Sequence, residues 1–112
     1  MHSIVGTNIT LTRGDTLFLK VGMKDSQTHE DITPEEGSYV RFAMKLNYSD
    51  PDEDIVLLKD ISTETMILEF KPEDTKNLPM GKTYVYDIQY TDAMGHVDTF
   101  IEGKFKIGKE VY

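Results

Sequence analysis

The sequence predicts an all-β protein folded as a two-sheet sandwich of about seven antiparallel strands. Apolar and polar residues alternate over several short segments, which is the pattern of a half-buried strand. Residues that favour turns separate these segments at intervals of roughly eight to twelve residues. Helical periodicity is absent beyond single turns. Together these observations favour a sandwich of short strands over any helical fold.

Length and composition predict one domain without membrane segments or disulfides. At 112 residues the chain has room for a single core, and we expect residues 1–7 to be a mobile lead-in and residues 8–112 to be the domain. It contains no cysteine, which excludes disulfides and thiolate metal sites. No apolar run is long enough to span a membrane. The net charge of −8 disfavours nucleic acid and anionic membranes as partners, because both require a basic surface.

Four strands are predicted in the first half of the chain. The segment 8–12 alternates and ends at the turn Arg13-Gly14-Asp15. A stronger alternation follows over 16–24, with Leu17 and Leu19 on one face and Phe18 on the other. The polar segment 25–38 is expected to be a loop. The remaining two strands of this half are predicted over 39–46 and 55–58, on either side of an acidic turn.

Three further strands are predicted over 65–71, 82–91 and 97–107. Pro72 ends the first of these, and the residues after it are predicted to form one helical turn. The last two are expected to form a long hairpin. Its inward positions include Ile88 on the outgoing strand and Phe105 and Ile107 on the return, with Gly103 in line between them. Gly103 is expected either to let the return strand pack closely or to mark a bulge.

The spacing of Leu78, Gly81 and Tyr84 is that of a tyrosine corner. In that motif a tyrosine hydroxyl bonds to the backbone a few residues upstream and fixes a Greek-key crossover. Tyr84 is the candidate and Tyr86 the alternative. With seven short strands and this corner, the sequence predicts an immunoglobulin-like Greek-key sandwich.

Five segments, taken in order, resemble a family of small phage and prophage structural proteins with an immunoglobulin-like fold. The N-terminal domains of baseplate upper proteins of siphophages that infect Gram-positive bacteria are similar. The resemblance runs from about residue 9 to residue 111 and is carried by these segments: LTRGDTL at 11–17, YVRF at 39–42, PEDTKNLP at 72–79, YVYDIQ at 84–89 and FIEGKFKI at 100–107.

The resemblance implies a non-enzymatic component of the virion, made in the bacterial cytoplasm. It implies that the partners are other virion proteins, that the chain is a homo-oligomer, and that no catalytic residue or cofactor is present. Phe18 and Tyr39 fall on outward strand faces, and exposed aromatic side chains predict a protein interface. The same two residues leave open an alternative, a carbohydrate-binding module that adheres to a bacterial surface.

Several short motifs carry a functional and a structural interpretation. Arg13-Gly14-Asp15 is the integrin-recognition tripeptide, but a tight turn is the favoured interpretation in a chain without a secretion signal. Asp50, Asp52 and Asp54 alternate as in a calcium loop, although later positions of that motif do not match and a solvated acidic turn is favoured. The three histidines, His2, His29 and His96, have no partner at metal-ligand spacing.

Overall fold

The computed structural model describes residues 2–24, 27–28 and 30–111, and for residues 2, 3 and 5 it describes the backbone alone. The predictions for His29 and for the side chain of His2 therefore lie outside the described residues. Strands dominate the described part of the chain, which confirms the all-β prediction. Each of the seven predicted segments contains or overlaps one strand.

Eight strands and two short helical segments make up the described elements. A 3-10 turn, Asp52–Asp54, lies in the acidic connection, and a five-residue helix, α1 (Pro72–Lys76), follows the sixth strand. The strands are β1 (His2–Val5), β2 (Asn8–Thr12), β3 (Leu17–Lys20), β4 (Tyr39–Lys45), β5 (Leu57–Ile61), β6 (Ile67–Phe70), β7 (Thr83–Thr91) and β8 (Val97–Gly108).

The strands form two sheets of very different width. The larger sheet has six strands in the order β1-β2-β8-β7-β4-β5, and the smaller sheet contains β3 and β6. The chain crosses between the sheets after β2, β3, β5 and β6. Side chains from both sheets meet in one buried core. The architecture is therefore a two-layer sandwich in which one layer is much wider than the other.

The prediction that all strands are antiparallel is wrong for one pair. β2 runs parallel to β8, with Ile9 opposite Phe105 and Leu11 opposite Ile107. The chain leaves β2 for the other sheet, so it makes no hairpin on that side. β8 lies at the position beside β2 and runs in the same direction as β2. The large sheet is consequently mixed.

Residues 2–5 form a strand in place of the lead-in expected over 1–7. β1 pairs antiparallel with β2, with His2 opposite Leu11 and Val5 opposite Asn8. Gly6 and Thr7 make the two-residue turn, and Gly6 has a φ of +61°, a conformation that glycine adopts without steric cost. β1 is short and lies at the edge of the large sheet.

An aromatic cluster fills the centre of the core. The ring of Phe42 lies 5.3 Å from that of Phe70 and 5.2 Å from that of Tyr86, measured between centroids. Phe105 closes the cluster at 5.2 Å from Phe70. Phe42, Phe70 and Phe105 are fully buried. Because these four side chains come from β4, β6, β7 and β8, the cluster joins the two sheets.

Candidate functional site

Tyr86, and not Tyr84, makes the long-range hydroxyl bond of the hairpin. The Tyr86 hydroxyl donates to the carbonyl oxygen of Thr7 in the β1–β2 turn. Tyr84 is buried, and within the described residues its hydroxyl makes no hydrogen bond. Burial raises the pKa of both phenols, and the nearby Tyr48 raises that of Tyr86 further. The bond therefore fastens the N-terminal hairpin and does not have the local geometry of a tyrosine corner.

Gly103 lies opposite Tyr86 in the β7–β8 pairing, where the Thr7 backbone comes very close. A Cβ built on Gly103 would overlap the Thr7 carbonyl oxygen and lie 2.9 Å from its carbonyl carbon. Of the two roles expected for Gly103, close packing is therefore the one observed. The register shift of the hairpin lies elsewhere, where Ile88 pairs with Ile101 and Gln89 with Thr99.

Tyr86→Phe is expected to destabilise the domain by about 1 kcal/mol, because the Thr7 carbonyl loses a partly buried donor. Urea unfolding followed by circular dichroism measures the change. Tyr84→Phe is the matched control, since it removes a hydroxyl without a recorded bond, and its effect is expected to be smaller. Equal effects of the two substitutions would contradict the role given to the Tyr86 hydroxyl.

Leu78 and Gly81 lie at the entrance to β7, where backbone bonds join the entrance to the end of β8. Gly81 has a φ of +80°, and its N–H donates to the Ile107 carbonyl at 2.6 Å. The Ile107 N–H donates in turn to the Lys82 carbonyl at 2.9 Å. Leu78 is partly buried against the core, whereas Ile88, Phe105 and Ile107 are buried within it. These residues therefore hold the scaffold at the junction of β7 and β8.

The Arg13-Gly14-Asp15 turn is held against the C-terminal segment. The Arg13 guanidinium bonds the Glu110 carboxylate at 2.7 Å, and Lys76 bonds its other oxygen at 2.7 Å. The Gly14 N–H donates to the hydroxyl of Thr75, a fully buried residue of α1, at 2.8 Å. The arginine thus serves an internal ion pair, which favours the structural interpretation of the tripeptide.

Glu110 is expected to make stability depend on acid pH. Its bonds with Lys76 and then with Arg13 hold the pKa of its carboxyl below the ordinary value of 4.5. A lowered folded-state pKa contributes stability above the unfolded pKa, and this contribution is lost as pH falls through the folded value. Glu110→Gln should therefore reduce the urea midpoint at about pH 7 and reduce it less at about pH 3, below the unfolded pKa.

Glu53→Gln, which changes an exposed acid in the 3-10 turn, is the control for that series. Its urea midpoint is expected to follow that of the wild type at both pH values. If Glu110→Gln lowered the midpoint by the same amount at neutral and acid pH, the ion pairs would not be the source of its effect.

The acidic connection between β4 and β5 is organised by a lysine. Lys45 donates to the Asp52 carboxylate at 2.9 Å and to the Asp50 carbonyl at 2.9 Å, and its hydrogen bond lowers the pKa of Asp52. His96 bonds Asp92 at 3.1 Å in the β7–β8 turn. Over the described ranges, no three acidic or histidine side chains converge as metal ligands would. The acidic segment is a hydrogen-bonded turn.

Phe18 and Tyr39, predicted together as an interface, lie on opposite layers of the sandwich. Phe18 is 62% exposed on the outer face of the small sheet, and Tyr39 is 47% exposed on the outer face of the large sheet. Both side chains are exposed, as expected of an interface residue, but no single patch contains the two. The alternation in the sequence predicts that each side chain points outward. It does not predict to which sheet each strand belongs.

We call the outer surface of β4 and β5 the Tyr39 face. The Arg41 guanidinium lies 5.2 Å from the centre of the Tyr39 ring, and the Asp60 carboxylate bonds Arg41 at 3.0 Å. The exposed side chain of Leu58 stands beside Ala43, its partner across the strands. The face therefore presents an aromatic ring, an orientated cation and an aliphatic side chain. Sequence reasoning identified Tyr39 and missed the rest, although Arg41 is also an outward position of the same strand.

A shallow cavity of about 90 Å³ adjoins the Tyr39 face on the same sheet. Tyr48, which is 63% exposed, stands at its rim, and Lys45 and Asp87 line it. Burial is the largest cause that raises the pKa of Asp87 above its ordinary value. The cavity combines an aromatic ring with an amine and a carboxyl group.

The described residues include no helix with the length and apolar character needed to cross a membrane. Comparisons with models of known protein families, with curated proteins and with solved structures find no match.

Proposed function

We propose that this chain is a non-enzymatic assembly module that docks on partner proteins through the Tyr39 face. The observation that carries the proposal is the stacked pair of Tyr39 and Arg41, with Asp60 holding the guanidinium in place. Tyrosine and arginine are enriched among the residues that dominate binding energy in protein interfaces. An orientated pair loses less conformational entropy on binding than two free side chains.

We further infer an immunoglobulin-like Greek-key topology. β3 and β6 share the small sheet, while β4, β7 and β8 are neighbours or near neighbours in the large one. This distribution matches strands B and E facing strands C, F and G of an immunoglobulin domain, with β5 in the position of C′. The parallel pairing of β2 with β8 is compatible with this assignment.

The setting that we propose is a phage or prophage particle, where the module serves in a tail, baseplate or head assembly as one of several copies. Support for this setting comes from the resemblance of the five sequence segments to phage structural proteins. In that setting, partners are other virion proteins and further copies of the chain. The protein acts by surface complementarity and requires no cofactor.

Light scattering of the purified protein tests the docking face. We expect the wild-type chain to self-associate and Tyr39→Ala to weaken that association about thirtyfold, as the loss of a dominant interface residue costs roughly 2 kcal/mol. Phe18→Ala is the matched control, because it removes an exposed aromatic ring from the opposite layer. Association that survives Tyr39→Ala, or a wild-type chain that stays monomeric, would count against the Tyr39 face as a contact between copies.

A second candidate, carbohydrate binding, is favoured by the cavity beside Tyr48. An exposed tyrosine ring can stack on a sugar, and Lys45 and Asp87 provide polar contacts at its edge. A glycan array tests this candidate. Binding that is lost in Tyr48→Ala and retained in Phe18→Ala would favour adhesion to a bacterial surface. If the wild-type protein bound no glycan on the array, carbohydrate binding would be excluded as a candidate function.

A further inference from the structure

The small sheet has an edge strand whose outer side is unoccupied. β3 pairs with β6 on one side, and among the described residues the sheet contains these two strands alone. Proteins commonly protect such edges with prolines, bulges or inward-pointing charges, because an exposed edge readily pairs with another strand. β3, with the sequence LFLK, is short and carries one lysine, but it has no proline, bulge or inward-pointing charge. Its edge is therefore a site where a further strand can add.

The hydrogen-bond pattern shows which main-chain groups of β3 are available. The Val21 N–H donates to the Met66 carbonyl at 2.8 Å, and the register places Leu19 opposite Leu68. Because bonded and non-bonded pairs alternate in an antiparallel ladder, Leu19 also bonds towards β6. The N–H and C=O groups of Phe18 and Lys20 therefore point to the free side. Within the described residues, the backbone bonds outside the strand ladders include none from these groups.

A groove of about 180 Å³ runs beside this free side. Its walls include Leu19 and Val21 from the β3 side, and Ile9 and Ile88 from the large sheet. Ile4 of β1 also lines it and is 44% exposed. The groove exists because the large sheet extends past the two-stranded one. It is shaped for one extended strand with aliphatic side chains.

The groove is almost free of charge. In the described part of the chain, Lys20 is the one charged residue that lines it, and its ammonium group is turned to the Thr65 carbonyl at 2.5 Å. A segment that fills the groove must therefore be uncharged. In this acidic sequence only residues 1–12 offer an uncharged run of more than five residues, if histidine is counted as neutral. That run contains β1.

We propose that β1 of a second copy of this chain leaves β2 and lies along the free edge of β3, while β1 of the first copy does the same in return. The result is a symmetric, strand-exchanged dimer. Each copy loses the four-residue pairing of β1 with β2 and gains a pairing with β3, which is also four residues long. Ile4, now half exposed, enters the apolar groove of the partner, and that burial favours the dimer.

The turn between β1 and β2 favours exchange between copies over movement within one copy. Only Gly6 and Thr7 separate the two strands. Val5 and Asn8 are three Cα–Cα steps apart, so the link spans at most about 11 Å, little more than the roughly 10 Å between stacked sheets. Within its own domain the strand could reach the small sheet only with this link fully extended straight across the core, or with β2 shortened. In a dimer the same two residues straighten into a link between domains, and a short hinge of this kind favours exchange.

A disulfide that locks β1 to β2 tests the proposal. Ser3 and Thr10 are register partners, and their Cα atoms lie at about 5.5 Å or less, within reach of a disulfide. The chain has no other cysteine, so Ser3→Cys with Thr10→Cys gives a single bond. We expect the wild type and the reduced variant, refolded from urea at high concentration, to double in mass by sedimentation velocity. The oxidised variant should remain a monomer.

A second variant tests the β3 edge itself. Phe18→Pro removes an N–H that points to the free side and spares the bonds to β6, so the monomer should fold and the dimer should be lost. Phe18→Ala keeps the N–H and should still dimerise. Amide hydrogen exchange gives an independent signature, because Phe18 and Lys20 should exchange fast in the monomer and slowly in the dimer.

The outcomes separate this proposal from docking by the Tyr39 face. Dimers that persist in Tyr39→Ala and disappear in the oxidised double-cysteine variant support strand exchange. A wild type that stays monomeric after refolding at high concentration overturns the proposal. A dimer that survives the disulfide lock, or that leaves Phe18 and Lys20 amides in fast exchange, overturns it as well.

Discussion

Phe42→Ala is expected to destabilise the domain by about 3 to 5 kcal/mol, the largest effect of any substitution considered. The Phe42 ring is fully buried and contacts the rings of Phe70, Tyr86 and Phe105. Truncation removes those contacts and leaves a cavity between the two sheets. Since the free energy of unfolding of native proteins is only about 5 to 15 kcal/mol, this substitution would remove a large share of it.

Urea unfolding followed by tyrosine fluorescence and circular dichroism measures this loss. Phe42→Leu is the matched control, because it keeps an apolar side chain at the centre of the cluster and should cost less. A Phe42→Ala protein as stable as Phe42→Leu would mean that an apolar side chain filling the space between the two sheets contributes little to stability.

Gly103→Ala is expected to cost about 2 kcal/mol or more, although it adds a single methyl group. The added Cβ would overlap the Thr7 carbonyl, which is backbone and cannot rotate away. The β1–β2 turn must shift, and the bond from the Tyr86 hydroxyl to Thr7 is strained or broken. Thermal unfolding would show the change as a lower midpoint.

Gly22→Ala is the control for this substitution. No atom lies within 4 Å of a Cβ at Gly22, and its φ is not in the positive range. Alanine there should leave stability nearly unchanged or raise it slightly, because it reduces the freedom of the unfolded chain. If the two alanine variants had the same midpoint of thermal unfolding, the close approach of Thr7 to Gly103 would not determine the cost of an added Cβ.

Local alternation predicted the strands well because it depends on side chains a few residues apart. The inward positions Tyr84, Tyr86 and Ile88 are all buried, as the period of two requires. Segment ends were less accurate. The strand predicted over 16–24 ends at Lys20. Beyond it the Val21 N–H still bonds Met66, and Lys24 forms an isolated bridge with Asp31, but residues 21–24 form no continuous ladder. The alternation of side chains does not distinguish a paired strand from an extended segment of this kind.

The local alternation of apolar and polar residues does not predict which strands pair when they are distant in sequence. The parallel neighbour of β2 depends on where the chain returns after every other strand has been placed. β1 was missed because four residues with a single apolar pair show no recognisable alternation. The Thr7 acceptor of the Tyr86 hydroxyl was missed for the same reason, since the turn that presents it belongs to the unpredicted hairpin.

For the candidate site, sequence reasoning identified which residues point outward and not which of them share a surface. Phe18 and Tyr39 each belong to a strand with a clear outer face, but the assignment of strands to sheets separated them. Asp60 and Leu58 join Tyr39 and Arg41 through the pairing of β4 with β5. A hairpin between the two predicted strands would have suggested this grouping.

The parallel pair of β2 and β8 has a consequence for how the protein folds as it is made. β2 is synthesised before β8, and five strands lie between them in sequence, so their ladder must wait until those strands have been made. Contacts between residues so far apart in sequence carry a high cost of loop closure and are associated with slow folding. Until β8 leaves the ribosome, β2 has only β1 to pair with. The small N-terminal hairpin can then act as a temporary partner that keeps an apolar strand from pairing with other nascent chains.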